Sequence, residues 1–277
     1  MNESKLLLAI AGYAMVALVS GARADVIGFG DFSSEWRFQQ FDSSPPLQPT
    51  GNGIRLTTST GGNQARNYYH TERQDVSRFV ATFDYRAGRT PTNDTTGLSF
   101  VLFGSDLALD GVTRSGGNNH QFGYQNSFGG LLSTANRLTR SMALCLSLPG
   151  TVTSSVVSGY GLYTGGSIGG SFAPTAPVTF AAAGGVRVRM TYNQAGQLSN
   201  FVYVTLTDLA SGAVFAPEPF FLNVPTALAT SSGFVGFTTA VSSSEQVITN
   251  FSFVSVPTPG AGLAMPLGLW LSARRRR

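Results

Sequence analysis

Apolar residues in this chain recur with a period of two, and that pattern leaves few folds open. In Val202-Tyr203-Val204-Thr205-Leu206-Thr207 the two valines and Leu206 fall on one side of an extended backbone, with Tyr203, Thr205 and Thr207 on the other. Arg187-Val188-Arg189-Met190 repeats the scheme, sending both arginines toward solvent and their apolar neighbours toward a core. Segments 35–42, 53–58, 66–71, 78–86, 97–103, 141–148, 178–183, 186–192, 200–208, 219–223, 233–239 and 247–254 are rich in Val, Phe, Tyr, Thr and Leu. Clusters of Gly, Asn, Ser and Pro separate them. Between the two ends of the chain no segment carries a 3.6-residue apolar stripe. The expected fold is therefore all-β, two stacked antiparallel sheets. The glycine-rich stretches 115–130 and 158–170 are expected to be long loops at one end, where a rigid scaffold carries binding groups. Nothing repeats at the period of a solenoid or propeller.

The two termini read as processing segments outside that fold. Lys5 gives a positive n-region, Leu6 to Val19 an apolar stretch, and Ala22-Arg23-Ala24 a small-x-small cleavage site before Asp25. Residues 1–24 are thus expected to be a signal peptide and 25–255 the sandwich domain. In the tail, 256–277, Val256-Pro257-Thr258-Pro259 precedes the mostly apolar run Gly260 to Ala273 and then Arg274 to Arg277. The run is shorter than the roughly 20 residues of a stable spanning helix, and the arginines would hold its end on the cytoplasmic side. This arrangement resembles the PEP-CTERM sorting signal of Gram-negative and related bacteria, although Thr258 stands where that motif has Glu. The resemblance implies an inner-membrane sorting protease that removes the tail, transient anchoring, and a cell-surface or extracellular-matrix destination.

Charge, once the termini are set aside, argues against nucleic acid as a partner. From Asp25 to Val256 there are twelve arginines, no lysine and thirteen acidic residues, a net of about minus one. The basic character of the whole chain lies mostly in its ends. Cys145 is the only cysteine, so no intrachain disulfide and no cysteine zinc site can form. About 230 residues suffice for one domain with an apolar core and no staples.

Four groups of segments, in order, resemble L-type (legume-lectin-like) domains. Phe79 to Tyr85 followed by Thr96-Gly97-Leu98-Ser99-Phe100-Val101-Leu102 looks like the family's strand pair. Phe122-Gly123-Tyr124, Gly129-Gly130 and Ser141 to Leu148 look like its glycine-rich loop and metal-bearing strand. Gly161 to Gly166 matches a turn of bacterial members, and Val186 to Asp208, Gly233 to Thr238 and Ile248 to Phe253 resemble the closing strands. The resemblance implies a concanavalin A-like jelly-roll sandwich that binds sugar in a shallow site, beside calcium and a transition metal.

At the family's site positions this chain departs. The sugar-binding Asp would fall at Thr96, and the metal-binding Glu-x-Asp at Cys145 and Ser147. From Ser141 to Gly170 there is no Asp, Glu, Asn, Gln or His. Calcium takes six to eight oxygen ligands, largely carboxylates, so the ligands do not support it as a cofactor. Period two puts Ala143, Cys145 and Ser147 on one face of their strand, opposite Leu144, Leu146 and Leu148. Asp94, Asp106 and Asp110 offer a displaced cation site or, more simply, turn-forming carboxylates. The chain is then a metal-independent relative or a domain that has lost sugar binding.

Sugar recognition needs aromatic faces for stacking, with amides and hydroxyls for orientation. The loop around Asn119, His120, Tyr124, Gln125 and Asn126 supplies these groups, and Gly129 and Gly130 permit close backbone approach. With Thr96 and Gly97 these are the candidate carbohydrate contacts.

No catalytic residues are expected. Gly165-Gly166-Ser167-Ile168-Gly169 fits the nucleophile-elbow spacing, but His70 and His120 both precede Ser167, the wrong order for that triad. A sandwich glycosidase needs two carboxylates on one face, and the mature segment has no Glu-x-Asp or Asp-x-Glu; Glu72 and Asp75 would point to opposite faces of a strand. Two isolated histidines read as surface or hydrogen-bonded residues. The expected function is therefore non-enzymatic: a lectin-like module for carbohydrate or extracellular polysaccharide. Two alternatives are a structural matrix protein without sugar binding and, lower in weight, a sandwich-fold glycoside hydrolase.

Overall fold

Strands form where alternating side chains find two different environments. A computed structural model describes residues 25–30, 32–40, 52–58, 64–88, 97–104, 124, 139–148, 158–168, 172–181, 183–241 and 245–256. The first sheet is built from β1 (Val26–Ile27), β3 (Gly53–Thr57), β6 (Phe79–Ala87), β11 (Val186–Tyr192), β12 (Phe201–Asp208), β13 (Val214–Phe215), β14 (Phe220–Phe221) and β16 (Gln246–Ser255). Its strand order is β1-β16-β6-β11-β12-β13, with β3 also on β16 and β14 also on β12. The second holds β2 (Trp36–Gln40), β4 (Gln64–His70), β5 (Gln74–Asp75), β7 (Gly97–Phe103), β8 (Ser141–Ser147), β9 (Gly159–Thr164), β10 (Ala173–Pro174) and β15 (Ser232–Val241). Its order is β10-β9-β8-β7-β15-β4-β2, with β5 on β15. The described pairings are antiparallel throughout.

Aromatic rings fill the space between the sheets. Phe83 of β6 meets Phe100 of β7 at 5.6 Å and Phe237 of β15 edge-on at 5.1 Å, which ties one sheet to the other. Leu144, Leu146, Val188, Met190, Val204 and Leu206 are buried in the same cluster. Face-to-face burial of this kind is what holds a sandwich together. The second layer of residues on β11 and β12 stays open: Arg187 and Arg189 are exposed, and Tyr203, Thr205 and Thr207 half-buried.

The short segments differ from the sequence expectation. Two helices, α1 (Phe32–Glu35) and α2 (Val224–Leu228), are too brief to leave a 3.6-residue stripe. The stretch 158–170, expected to be a loop, contains strand β9. Its apolar Leu162 pairs across from Leu144, and Gly161 leaves room for the folded-back ring of Tyr163, whose Oη lies 2.6 Å from where a Cβ would stand. Segment 178–183, expected to be a strand, holds no strand among its described residues. Val178 and Phe180 are buried, but Thr175 Oγ1 donates to the Val178 carbonyl (2.8 Å) and Ser158 Oγ accepts from the Phe180 N–H (2.9 Å). Hydroxyl groups thus take up backbone positions that a sheet neighbour would otherwise fill. Of 219–223 only Phe220–Phe221 is strand.

Candidate functional site

The face of the second sheet that turns away from the core is where the sequence places its site. Registers Ser99↔Cys145, Val101↔Ala143, Val101↔Gly236 and Gly236↔Tyr69 put these residues on that face. Seven residues there form a second buried cluster: Tyr69, Val101, Phe103, Tyr124, Ala143, Cys145 and Phe234. Phe103 stands edge-on to Tyr69 at 4.7 Å and lies stacked on Phe234 at 5.3 Å. The Arg73 guanidinium covers the other side of the Phe234 ring, 4.6 Å from its centre. Gly236 is needed beneath this layer, because a Cβ there would run into the Tyr69 ring.

Cys145 is fully buried and its Sγ lies 3.1 Å from Ser99 Oγ, within hydrogen-bonding distance. Burial pushes its thiol up to about 12, outweighing the Ser99 hydrogen bond. It is a protonated thiol among apolar neighbours. Ser147, two residues on, is buried with its hydroxyl donating to the Leu148 carbonyl at 3.4 Å. A neutral thiol and a serine hydroxyl do not make a calcium site, so the residues at the family's metal positions do not fit the metal. Among the described residues no three of His, Cys, Asp and Glu gather as a ligand set.

Tyr124 sits differently from its expected role. The ring is 1 % exposed, which leaves no face for stacking on a sugar. Its Oη is hydrogen-bonded to Ser141 Oγ (2.8 Å) and accepts from the Gly166 N–H (3.2 Å). Burial raises its phenol above the ordinary range, against the lowering effect of those two bonds. Tyr124 therefore pins its part of the chain between β8 and the turn that follows β9. Gly97 opens β7, is buried, and its carbonyl accepts from Thr239 Oγ1 at 2.8 Å. Thr96, Asn119, His120, Gln125, Asn126, Gly129 and Gly130 lie outside the described residues, as do Asp94, Asp106 and Asp110. The structure thus brings Tyr124, Cys145 and Ser99 together on one face.

Two features of this face were not read from the sequence. Ser99 partners the thiol, and the register of two apolar strands was the only signal for it. Tyr69 Oη is completely buried and has no hydrogen-bond partner among the described residues, a cost that asks for a polar group. His70, by contrast, sits edge-on to Trp36 at 5.5 Å with Nδ1 3.2 Å from the Glu72 N–H, so it is a packed, hydrogen-bonded histidine.

No protein-family model matches the sequence, and no curated protein matches it either. Solved structures do match the fold. A lectin from Bauhinia forficata in complex with GalNAc aligns over 85 % of this chain and 100 % of its own, with 14 % identity and a TM-score of 0.63. Lectin I-B4 from Griffonia simplicifolia, in a metal-free form, covers 84 % of this chain and 100 % of its own, at 13 % identity and a TM-score of 0.63. The exoplasmic/lumenal domain of VIP36, in a calcium-bound form, covers 85 % and 87 % respectively, at 11 % identity and a TM-score of 0.52. Two antiparallel sheets, their order and this coverage make the described chain a legume-lectin-type jelly-roll sandwich.

Proposed function

We propose that this chain is an exported, surface-sorted carbohydrate-binding module of lectin type that works without a bound metal. The observation that carries the reading is the sandwich itself, shared over more than four-fifths of the chain with sugar-binding lectins. Fold alone does not specify chemistry, so the site has to supply the rest. Tyr124 is anchored on the face bearing Cys145 and Ser99, and Gln125 and Asn126 follow it directly in sequence. Asn119, His120 and Thr96 are the remaining hydroxyl-reading candidates of the sequence, with Gly97 at the start of β7. The ligand on this reading is carbohydrate or extracellular polysaccharide, and the inner-membrane sorting protease acts on the tail.

Calorimetric melting tests it. Ligands that bind only the native state raise the melting temperature by mass action. Polysaccharide extracted from the producing cells is expected to raise it equally in calcium and in chelator. A second reading, a structural surface protein, is favoured by the apolar side chains that fill the outer face of β7 and β8. No shift with any polysaccharide would decide for that one. Release of sugar by the purified chain would instead revive the hydrolase reading.

A further inference from the structure

The outer face of the first sheet carries a chemistry of its own. Four of the twelve arginines between Asp25 and Val256 project from it: Arg55, Arg86, Arg187 and Arg189. Two are already neutralised. Arg55 Nε lies 2.8 Å from Glu245 Oε1, and Arg187 grips Asp84 with Nε on Oδ1 (2.7 Å) and Nη2 on Oδ2 (3.0 Å). Arg86 and Arg189 are exposed, and among the described residues neither side chain has a hydrogen bond or ion pair. In register, Arg86 faces Val247, and Arg189 lies between Thr82 and Thr205, with no acidic group opposite. A domain that is close to neutral therefore presents two unneutralised guanidiniums on one sheet face.

Beside Arg86 the sheet opens into a cleft of about 350 Å³, lined by Asp84, Arg86, Gly185, Thr249 and Asn250 among others. That is at the small end of the range for ligand sites, ~300–1,000 Å³. A break in β16 shapes it. Register shifts between Thr249 and Ser252, and the exposed Asn250, at φ 53, donates through Nδ2 to Asp84 Oδ2 at 2.7 Å. Asp84 is held in place from two sides, and Oδ1 keeps a lone pair free. The cleft thus combines one unpaired cation with three acceptors of hydroxyl hydrogens: Asp84 Oδ1, Asn250 Oδ1 and Thr249 Oγ1.

A simple anion asks only for donors. Donors and acceptors together match a sugar that carries a carboxylate. Guanidinium forks recognise carboxylates in a bidentate way that lysine does not, and this segment has no lysine. From Arg86 to Arg189 is roughly 14 Å, four residues along one strand and one strand across. Such a span suits a run of sugar units better than one unit.

We infer that this face is a second glycan-binding surface, selective for an acidic polysaccharide whose uronate carboxylates reach Arg86 and Arg189. The inference extends the proposed carbohydrate binding to the opposite side of the sandwich, and does not use the Tyr124 loop.

Affinity of the full-length chain for polygalacturonate, for a panel of neutral polysaccharides and for a single-stranded oligonucleotide tests it. Arg86→Gln with Arg189→Gln is expected to weaken polygalacturonate about tenfold or more, from two lost charge-assisted contacts, and to leave the neutral panel unchanged. The wild-type interaction should also weaken with salt. The double variant should melt as the wild type does, because neither guanidinium has a partner to lose among the described residues. Unchanged polygalacturonate affinity in the variant, or none in the wild type, overturns the inference. Equal arginine-dependent binding of the oligonucleotide overturns it too, since the face would then be a general polyanion surface. Failure of the neutral panel alone counts against the Tyr124-loop site and leaves the arginine face standing.

Discussion

Strands β8 and β12 both have neighbours on either side, yet they meet the outside differently. All seven residues of β8 are buried, whereas β12 alternates strictly between buried and half-buried. Inward, both feed the same core. Outward, β8 offers Ala143 and Cys145 to a second apolar cluster, while β12 offers Tyr203, Thr205 and Thr207 to solvent. One sheet has thus turned its outer face into a covered layer, and the other has kept a polar surface on which arginines stand. On the covered face a charge would have to be desolvated; on the polar one it stays hydrated.

Placing the same carboxylate on each face puts the largest number on that contrast. Cys145→Asp is expected to lower unfolding free energy by about 3 kcal/mol or more, because the carboxylate enters an apolar cluster where the Arg73 guanidinium over Phe234 is already held by the Ser232 and Gly104 carbonyls. Thr205→Asp, directly across from Arg189, should change stability by about 0.5 kcal/mol at most. Urea denaturation of both variants measures this. Equal costs would mean that the outer face of β8 is wetter than its burial indicates. Calcium added to Cys145→Asp should not restore the loss, since one carboxylate falls far short of a calcium shell.

A smaller effect probes what covers the layer. Tyr124→Phe keeps the ring in place and deletes Oη, which takes the acceptor from the buried Gly166 N–H and breaks the bond to Ser141 Oγ. The expected cost is about 2 kcal/mol, typical of orphaning buried polar groups. The same variant should speed proteolysis near Tyr124, because the anchor of that residue is loosened. A cost near zero would show that ring packing alone holds Tyr124.

The sequence made the inward faces legible for a physical reason: every core strand had to alternate or run apolar to bury one side. The 186–192 and 200–208 segments came out as β11 and β12 within a residue, and the split of Leu144 and Leu146 from Ala143 and Cys145 is the split between the two clusters. The short elements were not legible. Val178 and Phe180 alternate like a strand, but Thr175 and Ser158 satisfy their backbone through side chains, which leaves no trace in apolar periodicity. β9 was hidden because glycine weakens any strand signal, although Gly161 is what lets the Tyr163 ring fold back there. At the site, Tyr124 looked like a stacking platform from its polar neighbours alone. Only the partners of its hydroxyl, Ser141 seventeen residues on and Gly166 forty-two residues on, reveal an anchor. The arginine face was visible as alternation, but which guanidiniums stay unpaired depends on Asp84 and Asn250, which sequence spacing does not bring together.

The smallest effect belongs to the open sheet and is read in pH. Burial pushes the Asp84 carboxyl upward, but hydrogen bonds from Arg187 and Asn250 and the charge of Arg187 outweigh it, leaving the group below its ordinary value. A depressed folded-state pKa contributes stability that is fully present above the unfolded value, near about 4, and is lost as pH falls through the folded one. Wild-type stability should therefore drop on acidification below about pH 4, and Asp84→Asn should drop less steeply over the same interval. At neutral pH the substitution is expected to cost only about 1 kcal/mol. Arg187, whose side chain is 49 % exposed, regains water when its partner loses charge. Melting temperatures of the two proteins between pH 2 and pH 7 measure the difference. Parallel curves would place the acid sensitivity elsewhere in the sandwich. A cost at neutral pH as large as that of Cys145→Asp would erase the distinction between the two faces, because it would make the open sheet as intolerant of an unpaired charge as the covered one.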